Sequence, residues 1–129
     1  MSDFFQNGNV STLHNLTRRS VEDMEAELVN FSANRPIGLV LPSLYSELEA
    51  SALENIVSEL TKVPYLNRIV IGLDRADADQ FAHAKEYFSR LPQDHVVIWH
   101  DSPRMQALDE ELAKLSLAPP ELGKGRNVW

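Results

Sequence analysis

The chain has 129 residues, 12 Lys and Arg against 19 Asp and Glu, a formal net charge of −7 and a hydrophobic share of 43%. That is the size and apolar content of one ordinary globular domain, and its acidity excludes a protein that coats nucleic acid by neutralising phosphates. The sequence holds no cysteine, which excludes disulfides, thiolate chemistry and Cys-ligated zinc.

Residues 1–19 are polar and weakly patterned and read as a mobile arm, without the basic start and apolar stretch of a signal peptide. No apolar run nears the roughly 20 residues of a membrane span, so a cytoplasmic protein is expected. Ser20 opens a helical signal over residues 20–34: its hydroxyl can cap the first turn, and Val21, Met24, Leu28 and Phe31 recur on one face. Asn34-Arg35-Pro36 stops that helix.

Ile37-Gly38-Leu39-Val40-Leu41, bounded by Pro36 and Pro42, has the pattern of a strand buried on both faces. Leu48, Ala52, Ile56, Val57 and Leu60 then follow at helical spacing, with Ser46 and Glu49 in capping-box positions. Arg68–Leu73 predicts a second strand. A helix carrying Phe81, Ala84, Phe88 and Leu91 comes next, capped by Asp77 or Asp79. Val96–Trp99 predicts a third strand, and Ser102-Pro103 starts a last helix through Met105, Leu108, Leu112 and Leu115. Strands joined through helices pair in parallel with right-handed crossovers, so the fold expected is α/β, a three-layer Rossmann-like parallel sheet. Residues 35–129 form the main domain. Ending on Gly123-Lys124-Gly125-Arg126-Asn127-Val128-Trp129, with an uncovered apolar sheet edge, it is expected to be incomplete and part of a longer protein.

In open parallel sheets the ligand crevice lies beyond the carboxyl ends of the strands. At the first, Pro42 fixes the backbone, Ser43 and Leu44 offer main-chain groups, and Glu47 either faces a ribose diol or stays solvated beside a capped helix. At the second, Asp74 is placed to accept from the imide N–H of a uracil. Asp77-Ala78-Asp79 reads as a capped helix start rather than a metal loop, since the Gly and Glu of a calcium loop are missing. His14, His83, His95 and His100 are scattered and read as structural or surface residues. Gly123-Lys124-Gly125 suits a diphosphate, with close backbone approach, free helix N–H groups and the Lys124 charge. It is too short for a P-loop.

In this order, the turn at Leu41–Leu44, Ile71-Gly72-Leu73-Asp74 and Gly123-Lys124-Gly125 resemble the nucleotide-binding half of a family-2-like GT-A glycosyltransferase, of the glucosyl-3-phosphoglycerate synthase and mannosylglycerate synthase type. The resemblance covers about Arg35 to Trp129. It implies a donor site for a nucleotide sugar such as UDP-glucose made by Pro42, Ser43, Leu44, Glu47, Asp74 and Lys124, and a small anionic acceptor such as 3-phosphoglycerate. It also implies a divalent metal, Mg or Mn, held by an Asp-x-Asp motif that this chain does not reach; by itself the segment would not catalyse transfer. The family commonly carries a Ser- and Gly-rich run after the second-strand aspartate, where this chain has Arg75-Ala76-Asp77. No residue within the segment is assigned to catalysis or to metal, and a homo-oligomer is left open. The alternative is a non-enzymatic α/β module that binds a partner through its sheet edge or through the helix at 20–34.

Overall fold

The computed structural model describes residues 19–117 and 127–128; the arm expected at 1–19 therefore lies outside the described residues except for Arg19. The predicted order of elements is observed: α1 (Val21–Asn34), β1 (Ile37–Leu44), α2 (Ser51–Leu60), β2 (Leu66–Asp74), α3 (Ala78–Phe88), β3 (Asp94–Trp99) and α4 (Pro103–Lys114). The three apolar runs pair in parallel, in the order β1-β2-β3. Each step in that order moves the same way across the sheet, so right-handed crossovers lay α2 and α3 on one face.

The core forms there. Ile69, Ile71 and Leu73 of β2 alternate onto that face and are fully buried beneath Leu53 and Val57 of α2 and Ala84 and Phe88 of α3. Each helix contributes an i, i+4 pair, the spacing that keeps two side chains on one stripe. The register puts Val40, Val70 and Val96 in one row of the opposite face, and Pro42, Gly72 and Ile98 in the next. Val40, Val96 and Ile98 are exposed.

Caps follow local chemistry. Ser20 Oγ accepts from Asp23 N–H at 3.0 Å, and Ser102 Oγ from Met105 N–H at 3.3 Å. Asp77 Oδ1 accepts from Gln80 N–H at 2.8 Å while Gln80 Oε1 accepts from Asp77 N–H at 2.9 Å, a reciprocal capping box. Asp77 is thus the cap and Asp79 stands in the first turn.

Three expectations need correction. The first strand does not stop at Pro42 but runs on to Leu44; β1 is an edge strand of the described sheet, where a missing N–H is tolerated. The helix expected from Leu48 begins only at Ser51, after a 3-10 turn over Tyr45–Glu49. The capping box at Ser46 and Glu49 is not made; Glu47 accepts from Leu44 N–H instead. No helix among the described residues is long and apolar enough to cross a membrane.

Candidate functional site

β1 and β2 end side by side, with Ser43 opposite Leu73 and Leu44 opposite Asp74. The pleat therefore sends Ser43 to the helix-covered face and Asp74 to the other. Beyond these strand ends lies a cleft of about 150 Å³ lined by Pro42, Ser43, Leu44, Glu47, Asp74, Arg75 and Asn127. Five of the six residues singled out from the sequence thus meet in one place, although more than 25 residues separate the two turns. The sixth, Lys124, lies outside the described residues together with Gly123 and Gly125.

Three polar residues of this wall are buried. Ser43 and Asp74 are each 2% exposed and Asn127 is 9% exposed. Asp74 Oδ1 accepts from Arg75 N–H at 3.0 Å. Among the described residues, Ser43 Oγ has no hydrogen-bond partner, nor has Asn127 Oδ1. Buried polar atoms are almost always paired, and both of these are enclosed, Asn127 Oδ1 lying against Gly72.

Glu47 takes part in both the turn and the cleft. One of its carboxylate oxygens accepts from Leu44 N–H at 3.0 Å, holding the 3-10 turn, yet the side chain still lines the cleft. Capping and cleft-lining are done by the same group.

Two lining residues, Arg75 and Asn127, are not expected from the sequence. Arg75 sits at φ 57°, the left-handed region that glycine enters easily. Here the turn is held from outside: Trp99 Nε1 donates to Ala76 O at 2.7 Å, Asp101 Oδ2 accepts from Ala76 N–H at 3.0 Å, and His100 N–H donates to Leu73 O at 2.9 Å. The end of β3 thus clamps both polar groups of Ala76 and fixes where Asp74 and Arg75 stand. His100-Asp101 serves the cleft by positioning a turn.

Asn127 approaches from the other face. Its Nδ2 donates to Gly72 O at 2.9 Å, and a Cβ added to Gly72 would collide with the Asn127 amide. Gly72 is thus required by close approach. The other described histidines have local partners: His83 Nδ1 lies 3.0 Å from Tyr45 Oη, and His95 Nδ1 2.8 Å from Gln93 O. Among the described residues no three His, Asp or Glu side chains come together as a metal-binding set. They do not fit the divalent ion that the resemblance implies.

No family model matches the chain, and no solved structure matches it. Among curated proteins, it is 46% identical over 129 residues, its whole length, to a glucosyl-3-phosphoglycerate synthase of Persephonella marina, of which it covers 32%. It is 31% identical over 128 residues to a glucosyl-3-phosphoglycerate synthase of Methanococcoides burtonii, covering 98% of this chain and 31% of that protein. The chain therefore spans about a third of the length of the curated relatives it matches.

Proposed function

We propose that this chain, a homologue of glucosyl-3-phosphoglycerate synthases along its whole length, carries the donor site of a hexosyltransferase that moves glucose from UDP-glucose to 3-phosphoglycerate in the cytoplasm. The observation that carries this reading is the convergence of Pro42, Ser43, Leu44, Glu47 and Asp74 on one cleft beyond two parallel strands, where such sheets hold ligands. In it, the Asp74 carboxylate accepts the uracil imide N–H, a contact that rejects cytosine. Glu47 accepts from the ribose hydroxyls with the oxygen not engaged by Leu44. Arg75, at the rim, and Lys124 supply positive charge for the diphosphate.

The curated relatives are about three times as long as this chain, and this reading assigns the divalent ion and the acceptor-binding residues to the part of the enzyme that they have in addition. The segment alone then binds donor without transferring sugar. Titrating the 129-residue chain with UDP and UDP-glucose, followed by amide NMR and calorimetry, tests this. Shifts clustered at Ser43, Leu44, Glu47, Asp74, Arg75 and Lys124 are the expected result; unmoved signals there at millimolar nucleotide overturn the reading.

A further inference from the structure

The two turns that wall the cleft come from different parts of the chain, and the ladder between β1 and β2 ends at Leu44 and Asp74. One wall continues into the 3-10 turn Tyr45–Glu49, which carries Glu47. The other continues through Arg75 to α3 and its cap, Asp77. A 3-10 turn is short and its own hydrogen bonds are poor, so its place relative to β2 needs an outside tie. Helix α3 supplies one. Tyr45 Oη and His83 Nδ1 are 3.0 Å apart across 38 residues of sequence, and the two rings meet edge to face with centroids 5.9 Å apart. On the same helix Phe81 stacks on Trp99 at 5.2 Å, and Trp99 Nε1 donates to Ala76 O beside Arg75. α3 therefore grips both turns, one through Trp99 and the other through His83.

We infer that Tyr45 and His83 are positioning residues of the cleft: their hydrogen bond sets how far Glu47 stands from Asp74. This rests on the donor-site reading above, in which Asp74 takes the base N–H and Glu47 the ribose hydroxyls. Base and ribose are joined by one bond and lie at a nearly fixed separation, so acceptors on two separate turns must be held to match it. Neither Tyr45 nor His83 lines the cleft, so both act through Glu47. The tie matters to the ribose and leaves a bare diphosphate untouched.

The test titrates the 129-residue chain and three variants with UDP, 2′-deoxy-UDP and pyrophosphate. Tyr45→Phe keeps the ring contact and removes the hydroxyl, and His83→Ala removes both. His83→Asn puts an amide oxygen at the branch position of Nδ1, where it can accept from the Tyr45 hydroxyl. Tyr45→Phe and His83→Ala are expected to weaken UDP by about 3- to 10-fold, the range of one net hydrogen bond. 2′-Deoxy-UDP, with one hydroxyl fewer for Glu47, is expected to change less and pyrophosphate not at all, so that the preference for the ribonucleotide shrinks. His83→Asn is expected to restore it. Variants that bind UDP like the natural chain overturn the inference, as does an equal loss for all three ligands, the mark of a general loosening of the fold. A His83→Asn chain no better than His83→Ala overturns it too. A natural chain that binds UDP and its deoxy analogue alike overturns it while leaving the base contact standing. A natural chain that binds no UDP removes the donor-site reading itself.

Discussion

At the scale of single residues, Gly72 and Asn127 form a pair whose energetics are coupled by contact. Alanine at Gly72 puts a methyl group where the Asn127 amide lies, and overpacking of that kind costs about 1–3 kcal/mol. Gly72→Ala is therefore expected to lower the urea midpoint strongly in the natural chain and much less in an Asn127→Ala background. A double-mutant cycle measures the difference; additive losses would show that the two side chains do not compete for space. The sequence makes half of this visible. The apolar Ile71-Gly72-Leu73-Asp74 run marks a strand ending on a carboxylate, and Asp74 is where that run places it. Nothing in residues 127–128 announces that they return to that strand from 55 positions away, because the contact is a matter of tertiary packing. Arg75 is illegible for a related reason. Its left-handed backbone is imposed by Trp99 and Asp101, which a local reading of Asp-Arg-Ala cannot weigh.

At the scale of elements, α2 and α3 are joined across their outer surface by one cluster. Glu54 accepts from Arg90 Nη1 and Nη2 at 2.8 and 2.7 Å and from Tyr87 Oη at 3.1 Å, while the Arg90 guanidinium lies 4.2 Å over the Tyr87 ring. The hydrogen bonds from Arg90, then that from Tyr87, hold the Glu54 carboxyl below the ordinary glutamate value. Burial, and then the neighbouring Glu54, push the Tyr87 phenol up. A depressed carboxyl stabilises the fold above its unfolded pKa of about 4.3 and loses that contribution as pH falls through the lower folded value. The cluster is exposed, so the effect is small. Thermal midpoints of the natural chain and Glu54→Gln are expected to differ at pH 6 and to converge toward pH 3; curves that stay parallel would remove Glu54 from the acid response. The elements themselves were largely legible. Prolines at 36, 64, 92 and 103 fall at strand and helix boundaries, and Ser20, Asp77 and Ser102 cap as their side chains dictate. The start of α2 was not, because Leu48 fits the helical spacing of Ala52 and Ile56 while its backbone belongs to the 3-10 turn. Periodicity alone cannot separate a buried turn residue from a buried helix residue.

At the scale of the whole molecule, burial is uneven. α1 has no buried residue, and its apolar face is exposed along its length, with Val21 61% and Phe31 49% exposed. A helix of 14 residues with little tertiary support is marginal in water, whereas Ile69, Ile71 and Leu73 are fully buried under two helices. Amide hydrogen exchange is expected to be fastest in α1 and slowest in β2, by a factor of about 100 or more; equal protection would mean that α1 is packed in solution. The parallel α/β architecture is readable from alternation, whereas the unequal cover of the two sheet faces depends on strand order, which alternation does not specify. One consequence of the register concerns length rather than composition. Ser43 and Asp74 come from adjacent strands in opposite phases of the pleat, so the cleft depends on parity. Deleting one codon between Leu39 and Leu41 would leave a passable strand yet exchange the faces of Pro42, Ser43 and Leu44. Point substitutions can tune this pocket by degrees, but insertions and deletions in β1 come only in even steps if the pocket is to survive them.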